Sequence, residues 1–236
     1  MMLTALIALL FAAPDYDRAV RLIESGNPAA AIPLLEKAAA AEARNPQIRK
    51  ALGVAYASLG DYRSAAPHFE RACEIDPALF DVCYYAGRAR YAADQYREAI
   101  PLLEKSVKQD PQKARAEAAL GQCLEALGRY GEAQERFVAA LRRTGQPLGE
   151  AQLAYGKFLV RQGRPAEAVP MLESAQSLGT TAARFELALA LVQAGRVSAA
   201  IPHLEAITSA DPRHDAARLL LVRARRLAKV PAGESR

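Results

Sequence analysis

The chain is 236 residues long, with 51% hydrophobic and 24% charged residues, no Trp and three Cys. That balance supplies a core and excludes a disordered chain; 6% aromatics argue against an all-β sandwich or barrel, and three cysteines exclude a disulfide miniprotein. The net charge is +5, and the excess sits at one end: from Asp211 onward there are seven basic residues and three acidic ones.

Met1–Ala13, MMLTALIALLFAA, carries no charged side chain, and Leu3–Ala13 is an apolar run. Its length suits the apolar region of a secretory signal, with Ala12 and Ala13 as small residues for cleavage. No Lys or Arg precedes it, and Pro14 follows directly. The expectation is export to a periplasmic or secreted location with residues 1–13 removed; the alternative is a cytoplasmic protein whose N-terminal helix packs on the first repeat. The run is too short to span a bilayer.

From there the chain repeats itself. AIPLLE at Ala31–Glu36 returns as AAPHFE at Ala65–Glu70, AIPLLE at Ala99–Glu104, AVPMLE at Ala168–Glu173 and AIPHLE at Ala200–Glu205, with a degenerate AQERFV at Ala133–Val138. Successive first alanines are 34, 34, 34, 35 and 32 residues apart. Gly53, Gly87, Gly121 and Gly156 keep the same phase, as do Gly26, Gly60, Gly128, Gly163 and Gly195. A large apolar residue lies four after each phrase-initial alanine: Leu35, Phe69, Leu103, Phe137, Leu172 and Leu204. Asp76-Pro77, Asp110-Pro111 and Asp211-Pro212 close three copies.

Each mark has a physical reason. Leu52, Ala55, Tyr56 and Leu59 follow helical spacing. The glycine after them supplies the left-handed residue that ends a helix. The phrase-initial alanine lets two helices approach closely, and Asp-Pro stops the second helix. The unit is helix, tight turn, helix, loop. Pro33, Pro67, Pro101, Pro170 and Pro202 fall within the second helix, which predicts that each such helix is bent or delayed near its start.

This pattern resembles the tetratricopeptide repeat family. Leu52-Gly53, Tyr56, Gly60, Tyr62, Ala65, Phe69, Ala72 and Pro77 all fall on family positions. The resemblance implies an all-α fold, a right-handed α-solenoid of about six helix-turn-helix repeats near 12–45, 46–79, 80–113, 114–148, 149–180 and 181–214. The first repeat departs, with Arg18-Ala19 for Leu-Gly. The third has Arg90 at the aromatic position and Asp94 for the turn glycine, a residue that tolerates the left-handed conformation. In the fifth, Gly179 is expected to cap one helix and Thr181 to N-cap the next. Asp215–Lys229 reads as a capping helix with Leu219, Leu220, Val222 and Leu227 apolar and Arg223, Arg225 and Arg226 on a wet outer face, followed by a flexible tail over 231–236.

No catalytic constellation is visible. HExxH, GxSxG, GxxxxGK and GxGxxG are absent, and no cofactor or metal is implied. His68 and His203 share a phase four repeats apart and are expected at the surface. Asp15 and Asp17 read as first-turn helix residues. Cys73 ends one helix and Cys83 opens the next, so a disulfide between them is conceivable if the protein is exported; Cys123 is expected in the core.

In this family first helices line a concave groove. The resemblance places Lys50, Tyr84, Arg88, Tyr91, Arg115, Gln122, Lys157 and Arg161 there, among others. That aromatic and basic mix suits an extended peptide with acidic groups. The family's Lys/Asn clamp for a C-terminal carboxylate is not supported, since Lys50 is followed four on by Val54. The expected function is a non-enzymatic scaffold that binds a protein or peptide segment. The rivals are a self-associating subunit of a cell-envelope complex and a contact to an acidic partner through the basic C-terminal helix. Nucleic acid is disfavoured, because its binders carry a broad basic stripe.

Overall fold

A computed structural model describes residues 15–109, 114–142 and 149–229. Expectations for residues 1–13 and 231–236 lie outside the described residues. Among the described residues there are helices and no strands: α1 (15–24), α2 (Pro28–Ala41), α3 (Pro46–Ser58), α4 (Tyr62–Ile75), α5 (Val82–Ala92), α6 (Tyr96–Gln109), α7 (Ala114–Ala126), α8 (Tyr130–Leu141), α9 (Gly149–Arg161), α10 (Pro165–Ser177), α11 (Ala183–Gln193), α12 (Val197–Ala210) and α13 (Asp215–Ala228). The chain forms two compact units, divided between Ala133 and Gln134.

In the N-terminal unit each helix from α2 to α7 packs on its neighbour in sequence, and α5 also touches α7. The C-terminal unit repeats the scheme from α9 to α13, with α9 touching α11 and α11 touching α13.

The tight turns are one motif used repeatedly. The Asp61 N–H donates to the Tyr56 carbonyl at 3.0 Å and the Gly60 N–H to that of Ala57 at 3.0 Å, which is the Schellman closure of α3. The same five-residue bond joins Asn27 to Leu22, Gln95 to Arg90, Arg129 to Leu124, Arg164 to Leu159 and Arg196 to Leu191. Gly60 has φ 77° and Asp94, at the matching place in the third repeat, φ 61°. Asp94 thus adopts the left-handed conformation, and its carboxylate accepts the Tyr96 hydroxyl at 2.6 Å.

Packing within a repeat rests on a size contrast. A Cβ built on Gly53 would stand 2.7 Å from the Phe69 ring, and one on Gly87 would stand 2.5 Å from Leu103. Both distances are shorter than real contacts, so α3 and α4, and α5 and α6, meet only because the first helix offers no side chain there. The phrase-initial alanines 31, 65, 99, 133, 168 and 200 are all fully buried. The core is therefore built from small residues at the helix crossings with larger ones between them, such as Leu35, Ile48 and Leu52 in the first cluster.

The prolines do not delay the second helices. These begin at Pro28, Tyr62, Tyr96, Pro165 and Val197, five residues ahead of each proline, and run through it. Pro33, Pro67, Pro101, Pro170 and Pro202 are all exposed, as are the residues four before them. The carbonyl that each proline leaves without a donor therefore belongs to a residue on the solvent side of the helix.

Three further expectations change. The N-cap of α11 is Ala182, with no side-chain bond, so Thr181 does not cap. His68 and His203 are half-buried rather than at the surface, and His68 stacks on Tyr56 with ring centroids 5.5 Å apart. On α13 the buried residues are Ala217, Leu220, Leu221 and Ala224, while Leu219, Val222 and Leu227 are exposed. Its outer face is not uniformly wet. His214 supplies the cap of α13, its Nδ1 accepting the Ala217 N–H at 3.2 Å.

Candidate functional site

Six of the eight expected groove residues fall in the N-terminal unit, on α3, α5 and α7. They are half-buried, and Arg88 with Gln122 and Arg115 with Tyr84 join α5 to α7. The Lys50 ammonium donates to the Phe80 carbonyl at 2.9 Å and lies 5.4 Å from the Phe80 ring centroid and 5.6 Å from that of Tyr85. Burial lowers the Lys50 pKa below its ordinary value. Arg88 donates to the Gln122 side-chain oxygen at 2.7 Å while its guanidinium covers Tyr91 at 5.1 Å. Arg115 covers the Tyr84 ring at 4.7 Å and pairs with Asp81.

Asp81 is the residue that sequence reasoning missed. It stands at the N-cap position of α5 in the left-handed region, at φ 56°, makes no side-chain cap bond there, and its side chain is fully buried. The Arg115 pair removes part of the positive charge expected of the groove. The segment that carries it is stitched on several sides. Cys73 and Cys83 are joined by a disulfide with Cα atoms 5.1 Å apart. Lys105 donates to the Cys73 carbonyl at 3.1 Å and Gln109 to the Pro77 carbonyl at 2.7 Å. Phe80 stands at the tip, 65% exposed.

An apolar cleft opens beside these residues. A cleft of about 370 Å³ lies between α3, α4 and α5, lined chiefly by Val54, Ala57, Tyr62, Tyr85, Arg88 and Ala92. Only Arg88 was singled out from sequence. Val54, Ala57 and Ala92 occupy groove positions but carry no reactive or charged group; their small size is what makes the depression.

Lys157 and Arg161 lie on α9 in the C-terminal unit. Lys157 pairs with Glu186 of α11 at 3.1 Å, linking two first helices, and Arg161 is exposed at the helix end. A second cleft of about 380 Å³ in that unit is lined by Thr180, Arg184, Phe185, Ile207 and His214, among others.

Among the described residues no group of three or more His, Cys, Asp or Glu is placed to hold a metal ion, and no helix is long and apolar enough to cross a membrane. Cys123 is buried, and desolvation pushes its thiol up to about 12, so it is an inert core residue.

Profiles described as tetratricopeptide repeat match residues 90–158, residues 5–79 and 185–231, and residues 149–174. No curated protein matches the chain. Among solved structures, MamA from Desulfovibrio magneticus RS-1 is similar at 25% identity and TM-score 0.62, covering 71% of this chain and 94% of MamA. MamA of AMB-1 is similar at 27% identity and TM-score 0.56, covering 70% of this chain and 97% of that one. YrrB, described as a TPR protein with an unusual peptide-binding site, shares the fold at 22% identity and TM-score 0.57, covering 71% and 86% of the two chains. With the repeat phase, the turn motif and these matches in agreement, the chain belongs to the tetratricopeptide repeat family, whose members are protein–protein interaction scaffolds.

Proposed function

We propose that the protein is a non-enzymatic scaffold that holds an extended peptide or protein segment against α3, α5 and α7 of its N-terminal unit. The observation that carries this reading is the apolar cleft of about 370 Å³ bordered by Arg88 and by the Tyr85 ring, with Lys50 at hand. An aliphatic or aromatic side chain would fill the cleft, and neighbouring acidic groups would reach Arg88 and Lys50. The backbone of such a segment stays extended, so affinity comes from one anchored side chain and flanking charge.

Panning a library of short unstructured peptides on the full chain tests it. Selected peptides should pair a large apolar residue with Asp or Glu. Ala57→Leu and Ala92→Leu, which fill the cleft from half-buried and exposed positions, should weaken binding ~10-fold or more while the melting temperature holds. Equal binding to wild type and both variants removes the groove site.

The protein is also proposed to act outside the cytoplasm. The apolar run Leu3–Ala13 and the Cys73–Cys83 disulfide support that reading, because disulfides persist in oxidising compartments. The mature N-terminus, read by mass spectrometry from fractionated cells, decides it: an intact Met1 in the cytoplasmic fraction overturns export.

A further inference from the structure

The C-terminal helix α13 sits in the register of a first helix of the array. Arg225 donates to Glu205 at 2.8 Å, 20 residues back. Tyr56 reaches Glu36, and Arg90 reaches Glu70, across the same interval. Three residues before Tyr56 and Arg90 stand Gly53 and Gly87, each covered by the large residue of the helix that follows, Phe69 and Leu103. Three residues before Leu159 stands Gly156, covered in the same way by Leu172. Three residues before Arg225 stands Val222, and it is 62% exposed.

So the face that a following helix covers on α3, α5 and α9 is open on α13 among the described residues. It is built as a surface of its own. Leu219, 72% exposed, and Val222 form an apolar stripe continued by Arg223 and Arg226 at helical spacing. The side chains of Arg223, Arg226 and Lys229 have no ion-pair or hydrogen-bond partner among the described residues, whereas Arg218 is held by Asp215 and Arg225 by Glu205.

We propose that this face of α13 docks an acidic amphipathic helix of a partner protein, which takes the place that a second helix holds in the preceding repeats. The size contrast is reversed. On α3, α5 and α9 the first helix offers glycine and the second a large residue; here α13 offers Val222, so the partner presents a small residue to it, flanked by Asp or Glu facing Arg223, Arg226 and Lys229. Charge complementarity selects the occupant. A second copy docking through the same face would bring these cations against one another. A bilayer surface is a poorer fit, since the exposed apolar residues of α13 are three aliphatics with no aromatic among them. This site lies in the C-terminal unit and does not depend on the groove reading.

The test pans a library of single-helix peptides, randomised on one face, on the full chain and counter-screens on two full-length variants, Leu219→Glu/Val222→Glu and Arg223→Glu/Arg226→Glu. These positions are exposed, so circular dichroism and the melting temperature should be unchanged. The expected peptides carry Ala, Gly or Ser flanked by Asp or Glu, bind each variant ~10-fold or more weakly, and lose affinity as salt is raised. Failure to select any peptide that distinguishes wild type from the variants overturns the proposal, as does selection of uncharged or basic peptides. Two controls carry the other occupants. Sedimentation with vesicles containing 30% phosphatidylglycerol, abolished by the arginine reversals, reassigns the face to lipid. Concentration-dependent dimers in sedimentation velocity, abolished by Leu219→Glu/Val222→Glu, reassign it to a second copy. Either result overturns the partner-helix proposal.

Discussion

Arg90 of α5 grips both carboxylate oxygens of Glu70 on α4, its Nη2 lying 2.7 Å from Oε2. Its Nη1 also donates to Gln95 at 2.7 Å. Tyr56 reaches Glu36 from the equivalent place one repeat earlier, at 3.2 Å. The two repeats thus close the same gap between a first helix and the helix before it with different chemistry. The Glu70 contact holds the Arg90 guanidinium above its ordinary pKa.

Arg90→Ala leaves Glu70 partly buried without its fork of donors. The expected cost is about 1–3 kcal/mol, read as a lower urea midpoint. Arg90→Tyr restores the Tyr56 arrangement and should recover part of it. A double-mutant cycle with Glu70→Gln isolates the pair; a coupling near zero would show that Arg90 matters only through its packing.

Gly87→Ala should destabilise the N-terminal unit in spite of alanine's better helix propensity. The new methyl falls 2.5 Å from Leu103, which is fully buried. The clash is expected to cost about 1–3 kcal/mol, against about 1 kcal/mol recovered from propensity. Leu103→Ala alone opens a cavity and costs about 2–5 kcal/mol. In the double variant the methyl occupies part of that cavity, so its loss should be smaller than the sum of the two single losses. Additive losses would place the Gly87 effect elsewhere than at Leu103.

The repeat phase made Gly60, Asp94, Phe69 and Leu103 legible, because each stands for a backbone or volume requirement that recurs every turn of the array. The same logic did not reach α13. Leu219, Leu220, Leu221 and Val222 are consecutive, so spacing alone allows several apolar faces; burial of Leu220, Leu221 and Ala224 decides between them. Asp81 was hidden because the left-handed region is ordinarily read from glycine. The groove presents the reverse problem. Charged and aromatic residues draw attention, yet Lys50, Arg88 and Arg115 are engaged with Phe80, Gln122 and Asp81, and the open surface is made by Val54, Ala57 and Ala92.

Reduction of the Cys73–Cys83 bridge should lower stability without unfolding the chain. The bridge spans 10 residues of sequence. Chain-entropy reasoning for a loop of that size gives about 2–3 kcal/mol. A Cys73→Ala/Cys83→Ala variant should show the same loss in denaturant melts. Under non-denaturing conditions iodoacetamide should label neither variant nor oxidised wild type, because Cys123 is buried with its pKa pushed to about 12. Rapid labelling of Cys123 in the native chain would contradict that environment.

His68 should make the stability of the N-terminal unit sensitive to mild acid. Burial, and then the charge of Arg49, lower its pKa below the ordinary 6.5, with Glu36 acting weakly the other way. Between the lowered folded value and 6.5 the unfolded chain binds more protons than the folded one, so stability rises with pH through that window and falls as the solution is acidified. Well above 6.5 the residue is neutral in both states and contributes no slope. His68→Phe keeps a ring against Tyr56, whose centroid lies 5.5 Å away in the native pair, and removes the titration. Urea midpoints of wild type and variant, compared from pH 8 to pH 5, should diverge only on the acid side, with the variant holding its stability further. Parallel curves across that range would show that the folded chain protonates His68 as readily as the unfolded one does.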